Sequence, residues 1–222
     1  MKNLLHKAAS FLGAIGVADA AYTRVLDLRS IVDPEARDFR RAWSRIQRIE
    51  GLLVPGQEEW LFRAARRLPD GAAIVEIGSY KGRSTTALAS ACVGTTKHVY
   101  AVDTFNGNDS DFSQRDFLPA WKESIESNGI VAWTTAVPGI SWEVGANWEK
   151  PIGMLFIDGS HQFEDVLKDF DAFFPHVVSG GIVAMHDVTE GWPGPLRAWR
   201  EVVKPKLSNT GAYSSLAFGT KP

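Results

Sequence analysis

The sequence predicts an α/β protein: a Rossmann-like three-layer sandwich with a mostly parallel sheet of seven strands, or six, and an N-terminal helical extension. Three observations carry that reading. Short apolar runs recur and break off abruptly in polar residues, as parallel strands buried on both faces do at their carboxyl edge. Stretches with apolar residues at helical spacing alternate with those runs. Acidic residues mark the run ends, with Glu76, Asp103, Asp158 and Asp187 at or just before the break. That edge is where open α/β sheets bind ligands.

Bulk composition narrows the class. A chain of 222 residues suffices for one large α/β domain with a real core. A net charge of −2 gives no support for nonspecific nucleic-acid binding, so no nucleic-acid partner is expected. No run reaches the ~18 apolar residues that span a bilayer. Cys92 is the single cysteine and cannot form an internal disulfide, which points to a reducing, cytoplasmic compartment. Lys2 and Lys7 before an Ala/Gly/Leu-rich run, with Ala18-Asp19-Ala20 behind it, mimic an export signal. Leu4, Leu5, Ala8, Phe11, Leu12 and Ile15 instead recur at helical spacing, and the segment reads as an amphipathic helix.

Residues 1–50 form the predicted extension and 51–222 the main domain. Asp33-Pro34-Glu35 is a helix start, Asp as cap and Pro in the first turn. Phe39, Trp43, Ile46 and Ile49 follow on one face, and Gly51 ends the helix. The extension packs on the main domain, covers the site or mediates a homo-oligomer contact. Val54 to Gln57 is a turn, Glu58 to Leu68 a helix, and Ala72 to Ile77 a buried strand. The loop Gly78 to Ser84 opens into a helix over Thr85 to Cys92. Lys97 to Val102 is the second strand, ending in Asp103. Asp109 to Asp116 is a polar loop, Leu118 to Ser127 a helix, and Ile130 to Thr135 the third strand. A loop, Pro138 to Ser141, and a short helix, Trp142 to Asn147, lead to the strand Gly153 to Ile157 and Asp158. Phe163 to Phe174 is a helix facing inward through Val166, Leu167, Phe170 and Phe173. Ser179-Gly180-Gly181 reads as a tight turn into a strand ending at Met185. Pro195 to about Lys204 is helical, and Ala212 to Gly219 a final strand. The tail from Ser208 leaves little room for two antiparallel strands.

Three pieces carry chemistry. In Glu76-Ile77-Gly78-Ser79-Tyr80-Lys81-Gly82, two glycines let a ligand approach backbone at a helix N-terminus. With Tyr80 between them it is not the G-x-G-x-x-G dinucleotide pattern. Asp103 at the next strand end can accept hydrogen bonds from both ribose hydroxyls of a nucleoside. Asp158, His161, His186 and Asp187 cluster at two strand ends. The two carboxylates can reach one hard divalent cation, and His161 is placed to take a proton from a substrate hydroxyl. His186 is a metal ligand, a partner of one, or a substrate contact. Of the eight tryptophans, Trp121, Trp133, Trp142, Trp148 and Trp192 follow the second strand, as core or pocket walls.

The order Val75-Glu76-Ile77-Gly78-Ser79-Tyr80-Lys81-Gly82-Arg83-Ser84-Thr85, then Val102-Asp103, then Phe156-Ile157-Asp158-Gly159-Ser160-His161-Gln162-Phe163-Glu164, then Gly180-Gly181 to His186-Asp187, resembles class I S-adenosylmethionine-dependent methyltransferases. Within them it resembles the group with EIGxxxGxST and IDGxHxYExVxxD signatures, which includes macrolide-sugar and cephalosporin-biosynthesis methyltransferases. The resemblance covers about residues 52–190. It implies that Glu76, Gly78 and Ser79 hold the methionine part of the cofactor, with Tyr80, Gly82, Ser84 and Asp158 also against it. Asp103 binds the ribose, Thr104 and Phe105 flank the nucleoside, and Ile140 and Ser141 lie near the adenine. Asp158 and Asp187 bind Mg²⁺ or another divalent cation, and His161 is the general base. Two positions depart from the pattern. His186 stands where macrolide-sugar relatives carry a carboxylate, and Val188 where catechol-type relatives carry an amide. Imidazole is a poorer Mg²⁺ ligand than oxygen.

The expected activity is transfer of a methyl group to a hydroxyl of a small molecule, such as a sugar or a glycosylated or phenolic natural product. Asn106 to Phe117 and Thr189 to Pro195 would be the acceptor walls. The rivals are a metal-independent methyltransferase relying on His161 alone, a cofactor-binding module without turnover, and a nicotinamide-dependent oxidoreductase.

Overall fold

Two apolar strands meet at the centre of the sheet. β1 (Ala73–Ile77) and β4 (Ile152–Ile157) are buried along their whole length, and they pair in parallel from Ala73↔Ile152 to Ile77↔Ile157. Side chains alternate across each strand. Ile74, Met154 and Phe156 therefore join one buried cluster, and Val75, Ile77, Leu155 and Ile157 another. These two cores, one on each side of the sheet, make the molecule three-layered. The computed structural model describes the backbone of residues 2–107 and 116–222 and the side chains of residues 17–107 and 116–222. The proposed polar loop from Asp109, most of the acceptor wall after Asn106, and the predicted apolar face Leu4 to Ile15 lie outside those descriptions.

The first layer holds α1 (Lys2–Val32), α2 (Pro34–Ile46), α3 (Gln57–Arg67), α4 (Arg83–Ser90) and α5 (Leu118–Ser127). Asp33 caps α2 as expected, accepting from the amides of Glu35 (2.9 Å) and Ala36 (3.2 Å). Phe39, Trp43 and Ile46 enter the same cluster as Leu61, Phe62 and Leu88. Gly51 does not end α2, which stops at Ile46. A Cβ at Gly51 would lie 2.7 Å from Cδ of Arg83, so the glycine makes way for a crossing side chain. The opposite layer holds α6 (Ser141–Ala146), α7 (Phe163–Phe173) and α8 (Pro193–Ala198). Val166, Phe170 and Phe173 fill it at helical spacing.

Besides β1 and β4, the sheet contains β2 (His98–Asp103), β3 (Thr134–Pro138), β5 (Val177–Met185), β6 (Ser208–Tyr213) and β7 (Leu216–Thr220). Their order is β3-β2-β1-β4-β5-β7-β6. The first five are mutually parallel, and β7 runs antiparallel to β5 and β6. The order reverses direction between β1 and β4, the switch point where such sheets open a crevice.

Three expectations are corrected. β3 begins at Thr134, not Ile130. Val131–Trp133 is a 3₁₀ turn held by the Trp133 indole N–H on the carbonyl of Thr95 (3.1 Å), so the apolar run closes α5 instead of entering the sheet. Ser179-Gly180-Gly181 is not a turn before the strand. It is a bulge inside β5, where the register against β4 shifts; the Gly180 amide donates to the carbonyl of Lys221, whose own amide donates to the carbonyl of Gly181. The tail holds two strands. β6 and β7 join through Ser214-Ser215, with Ser214 in the left-handed region at φ 54°, and the sheet therefore has seven strands. Among the described residues no helix is long and apolar enough to cross a membrane.

Candidate active site

The carboxyl ends of β1, β2 and β3 stand side by side, and each contributes a wall. After β1 the chain turns at Gly78 (φ +84°), where a Cβ would lie 2.1 Å from the carbonyl oxygen of Asp158. Only glycine permits that approach between the switch-point strands. Tyr80 follows at φ 46°, a costly backbone for a residue with a side chain. Asp103, at the end of β2, holds the turn. Its Oδ2 accepts from the amides of Ser79 (2.6 Å) and Tyr80 (2.9 Å), and its Oδ1 from that of Phe105 (2.7 Å).

Glu76 lies beneath the loop, fully buried. Its Oε2 accepts from the hydroxyls of Ser79 (2.7 Å) and Thr85, while Oε1 is buried without a partner among the described residues. Burial pushes its carboxyl up to about 7, against the hydroxyls that favour the charged form.

Two clefts open here. The first spans about 870 Å³, part of it open to solvent, between the Glu50–Leu53 segment, the glycine loop and the Asp158, His161 and Asp187 cluster. The second, about 1050 Å³, runs past Asp103 and Thr104 to Ile140 and Ser141, with Trp142 and Asp169. Gly78, Asp103, Gly107 and Gly159 line both, so the two are continuous. Of the residues expected at the cofactor, Gly78, Ser79, Tyr80, Ser84, Asp103 and Asp158 line the first, and Thr104, Ile140 and Ser141 the second. Glu76, Gly82 and Phe105 border neither. Gly82 heads α4, and Phe105 is buried against Trp121, ring centroids 5.9 Å apart.

β4 and β5 are neighbours, and their ends bring Asp158, His161, His186 and Asp187 together. His186 is buried, with Nδ1 3.1 Å from Oδ1 of Asp158 and 3.3 Å from Oδ1 of Asp187. Its Nε2 lies 3.1 Å from Oε1 of Gln57 and 3.1 Å from the hydroxyl of Ser215. That Oε1 also accepts the amide of Val54 (2.8 Å), which identifies it as the oxygen. Nε2 of His186 must then carry a proton, and Nδ1 faces two carboxylates. Such an arrangement needs a proton or a metal ion between the nitrogen and the oxygens. Burial opposes charging this imidazole, yet the two carboxylates prevail and carry it to about 10. Burial also opposes the charge on Asp187, but hydrogen bonds from His161 and His186 hold its carboxyl well below the usual range. Burial raises Asp158.

His161 points Nε2 at Oδ2 of Asp187 (2.9 Å). Trp192 stacks on its ring, centroids 3.8 Å apart and planes 14° apart. Asp187 itself has φ 58°, so the residue held by both imidazoles is also strained.

Gln57, Ser215, Arg83 and Asp169 escaped the sequence reading. Asp169 alone left a signal, as the last Asp of Asp158-Gly159-Ser160-His161-Gln162-Phe163-Glu164-Asp165-Val166-Leu167-Lys168-Asp169. Gln57 and Ser215 reach His186 from 129 and 29 residues away.

A sheet reversed at its centre, a glycine loop after β1 and acids at the ends of β2, β4 and β5 define the class I architecture of S-adenosylmethionine-dependent methyltransferases. The family model described as Methyltransferase domain matches residues 75–188, about half of the chain, and the chain belongs to that family. Among curated proteins, Demethylmacrocin O-methyltransferase of Streptomyces fradiae is 41% identical over 58 residues, 26% of this chain. The match spans only 14% of that relative's length. Solved structures with the same fold include the O-methyltransferase of Bacillus cereus in complex with S-adenosylhomocysteine (TM-score 0.61, 16% identity, 91% of this chain and 100% of that one). Another is TomG of Streptomyces achromogenes, an O-methyltransferase involved in tomaymycin synthesis, in complex with S-adenosylmethionine (TM-score 0.58, 14% identity, 77% and 82%).

Proposed function

We propose that this protein transfers the methyl group of S-adenosylmethionine to a hydroxyl of a small molecule, with His161 as general base. The observation that carries the reading is the continuity of the two clefts, which lets one cofactor lie across the ends of β1, β2 and β3 and point toward His161 and Asp187. The residues fit that cofactor: the Gly78 turn leaves backbone exposed where a side chain would block it, and Asp103 stands where a ribose would lie. The cofactor supplies an electrophilic methyl carbon, so the protein must orient the acceptor and remove its proton. His161 takes that proton. Asp187 holds the imidazole through Nε2 and stabilises the charge it acquires, and Trp192 fixes the ring plane. The wall of Glu50 to Leu53, Tyr80 and Phe117 confines the acceptor in the first cleft. Its mixture of carboxylate, phenol and apolar surface suits a hydroxylated ring such as a sugar or phenol.

Asp158, His186 and Asp187 also suit a divalent cation, their ligand atoms lying within 4.8 Å of one another. A bound ion would lower the acceptor's hydroxyl pKa. The nitrogen ligand favours a first-row transition ion over Mg²⁺.

Isothermal titration with S-adenosylhomocysteine tests the reading. Wild type should bind at micromolar concentrations, and Asp103→Ala, which releases the glycine loop, should bind at least tenfold more weakly. Absence of binding to wild type would remove the methyltransferase reading. Binding without turnover on any hydroxylated acceptor would favour a cofactor-binding module.

A further inference from the structure

α7 carries a carboxylate on its buried face. Val166, Phe170 and Phe173 pack into the core, and Asp169 shares their stripe at 2% exposure. A carboxylate at a core position is destabilising unless it is hydrogen-bonded or paired. Its Oδ1 accepts the hydroxyl of Ser141, at the start of α6. Its Oδ2 turns toward Gly159, where an added Cβ would lie 3.4 Å away. Burial pushes the carboxyl up to about 7, with the negative charge of Asp165 adding to it and Ser141 and Lys168 opposing. Both Asp169 and Ser141 line the second cleft, together with Asp103 and Thr104. A nucleoside whose ribose lies at Asp103 would put its base there.

We propose that Asp169 is a positioning residue that makes the second cleft selective for a 6-aminopurine, a role resting on the cofactor reading above. When Asp169 is ionised it accepts the hydrogen bond of the Ser141 hydroxyl, which leaves the Ser141 oxygen with only lone pairs to offer the cleft. An acceptor fixed in that way matches the exocyclic amine of adenine. A 6-oxopurine places an acceptor against it and leaves both unpaired. Without Asp169, the Ser141 hydroxyl rotates and serves either base.

The test is the ratio of affinities for S-adenosylhomocysteine and S-inosylhomocysteine, by isothermal titration. Wild type should prefer the adenosyl compound by about tenfold or more. Asp169→Ala and Ser141→Ala should each bring the ratio toward one, and the double variant should add nothing. Asp169→Asn, whose carbonyl oxygen can still accept from Ser141, should keep the preference. Ser141 is half-buried, so its variant provides the answer if loss of Asp169 unfolds the chain. Variants that weaken both ligands equally, or leave the ratio unchanged, would overturn the proposal and leave the cofactor reading standing. Wild type that binds neither ligand would overturn both.

Discussion

Two buried clusters among the described residues place a basic side chain between a pair of carboxylates, and only one of those side chains can give up its proton. Arg83 links α1 and α3 to the glycine loop. Its Nη2 contacts both oxygens of Asp19 (2.9 and 3.0 Å), its Nε meets Oε1 of Glu58 (2.6 Å), and Nη1 reaches the carbonyl of Ile49 (3.3 Å). His186 lies similarly between Asp158 and Asp187. A guanidinium never loses its proton at accessible pH, so the first cluster is permanent scaffolding. An imidazole can give up the proton on Nδ1, and Asp158 and Asp187 line the first cleft, within reach of a ligand. Burial of charge is therefore not itself a mark of function. Both clusters border the first cleft, through Arg83 in one and through Asp158 and Asp187 in the other, so what marks the site is a proton that can leave.

The largest expected effect lies at the exchangeable cluster. His161→Ala should lower turnover by about 10²–10⁴-fold, while S-adenosylhomocysteine affinity stays within about threefold of wild type. A comparable loss of cofactor affinity would mean that His161 shapes the pocket instead of moving a proton.

Arg83→Met should act on stability. It leaves Asp19 and Glu58 buried without their cation, at a cost of about 3–5 kcal/mol. Thermal unfolding should show a Tm lower by about 10 °C. An unchanged Tm would show that the N-terminal helices need no such tie.

Gln57→Leu removes the group that fixes the Nε2 proton of His186. Loss of such a partner typically weakens a metal site 10–100-fold, and Mn²⁺ titration followed by electron paramagnetic resonance reads that directly. If wild type binds no Mn²⁺, the exchangeable cation is a proton alone.

The smallest effect concerns pH. Burial pushes Glu58 up to about 7, against the opposing charge and hydrogen bonds of Arg83. Its folded pKa exceeds the unfolded one, so the native state binds the extra proton between about pH 4.5 and 7. Stability from this group is present below that window and lost as pH rises through it. The fall in Tm across the window should be shallower in Glu58→Gln, and identical slopes would sink the assignment.

Much of the site was legible because it is local. Gly78, Asp103, Asp158, His161 and Asp187 follow apolar runs, and strand ends can be read from a run and its break. Elements that packing redefines were not legible. Ile130 to Trp133 has the composition of a strand, yet its indole is drawn to Thr95 and the strand starts later. The residues at the end of the chain were sufficient for a hairpin once Ser214 took a left-handed backbone.

Periodicity and turn chemistry act over a few residues, and they alone establish the alternation of strands and helices, the glycine turn after β1 and the chemical types at the sheet's edge. Packing of the assembled chain is what makes Asp103 brace the glycine loop, pairs Arg83 with Asp19 across 64 positions and lets Gln57 set the proton of His186 across 129. It also set Asp169 against Ser141, 28 residues away. Those contacts depend on where separate elements come to rest against one another, which no local pattern encodes.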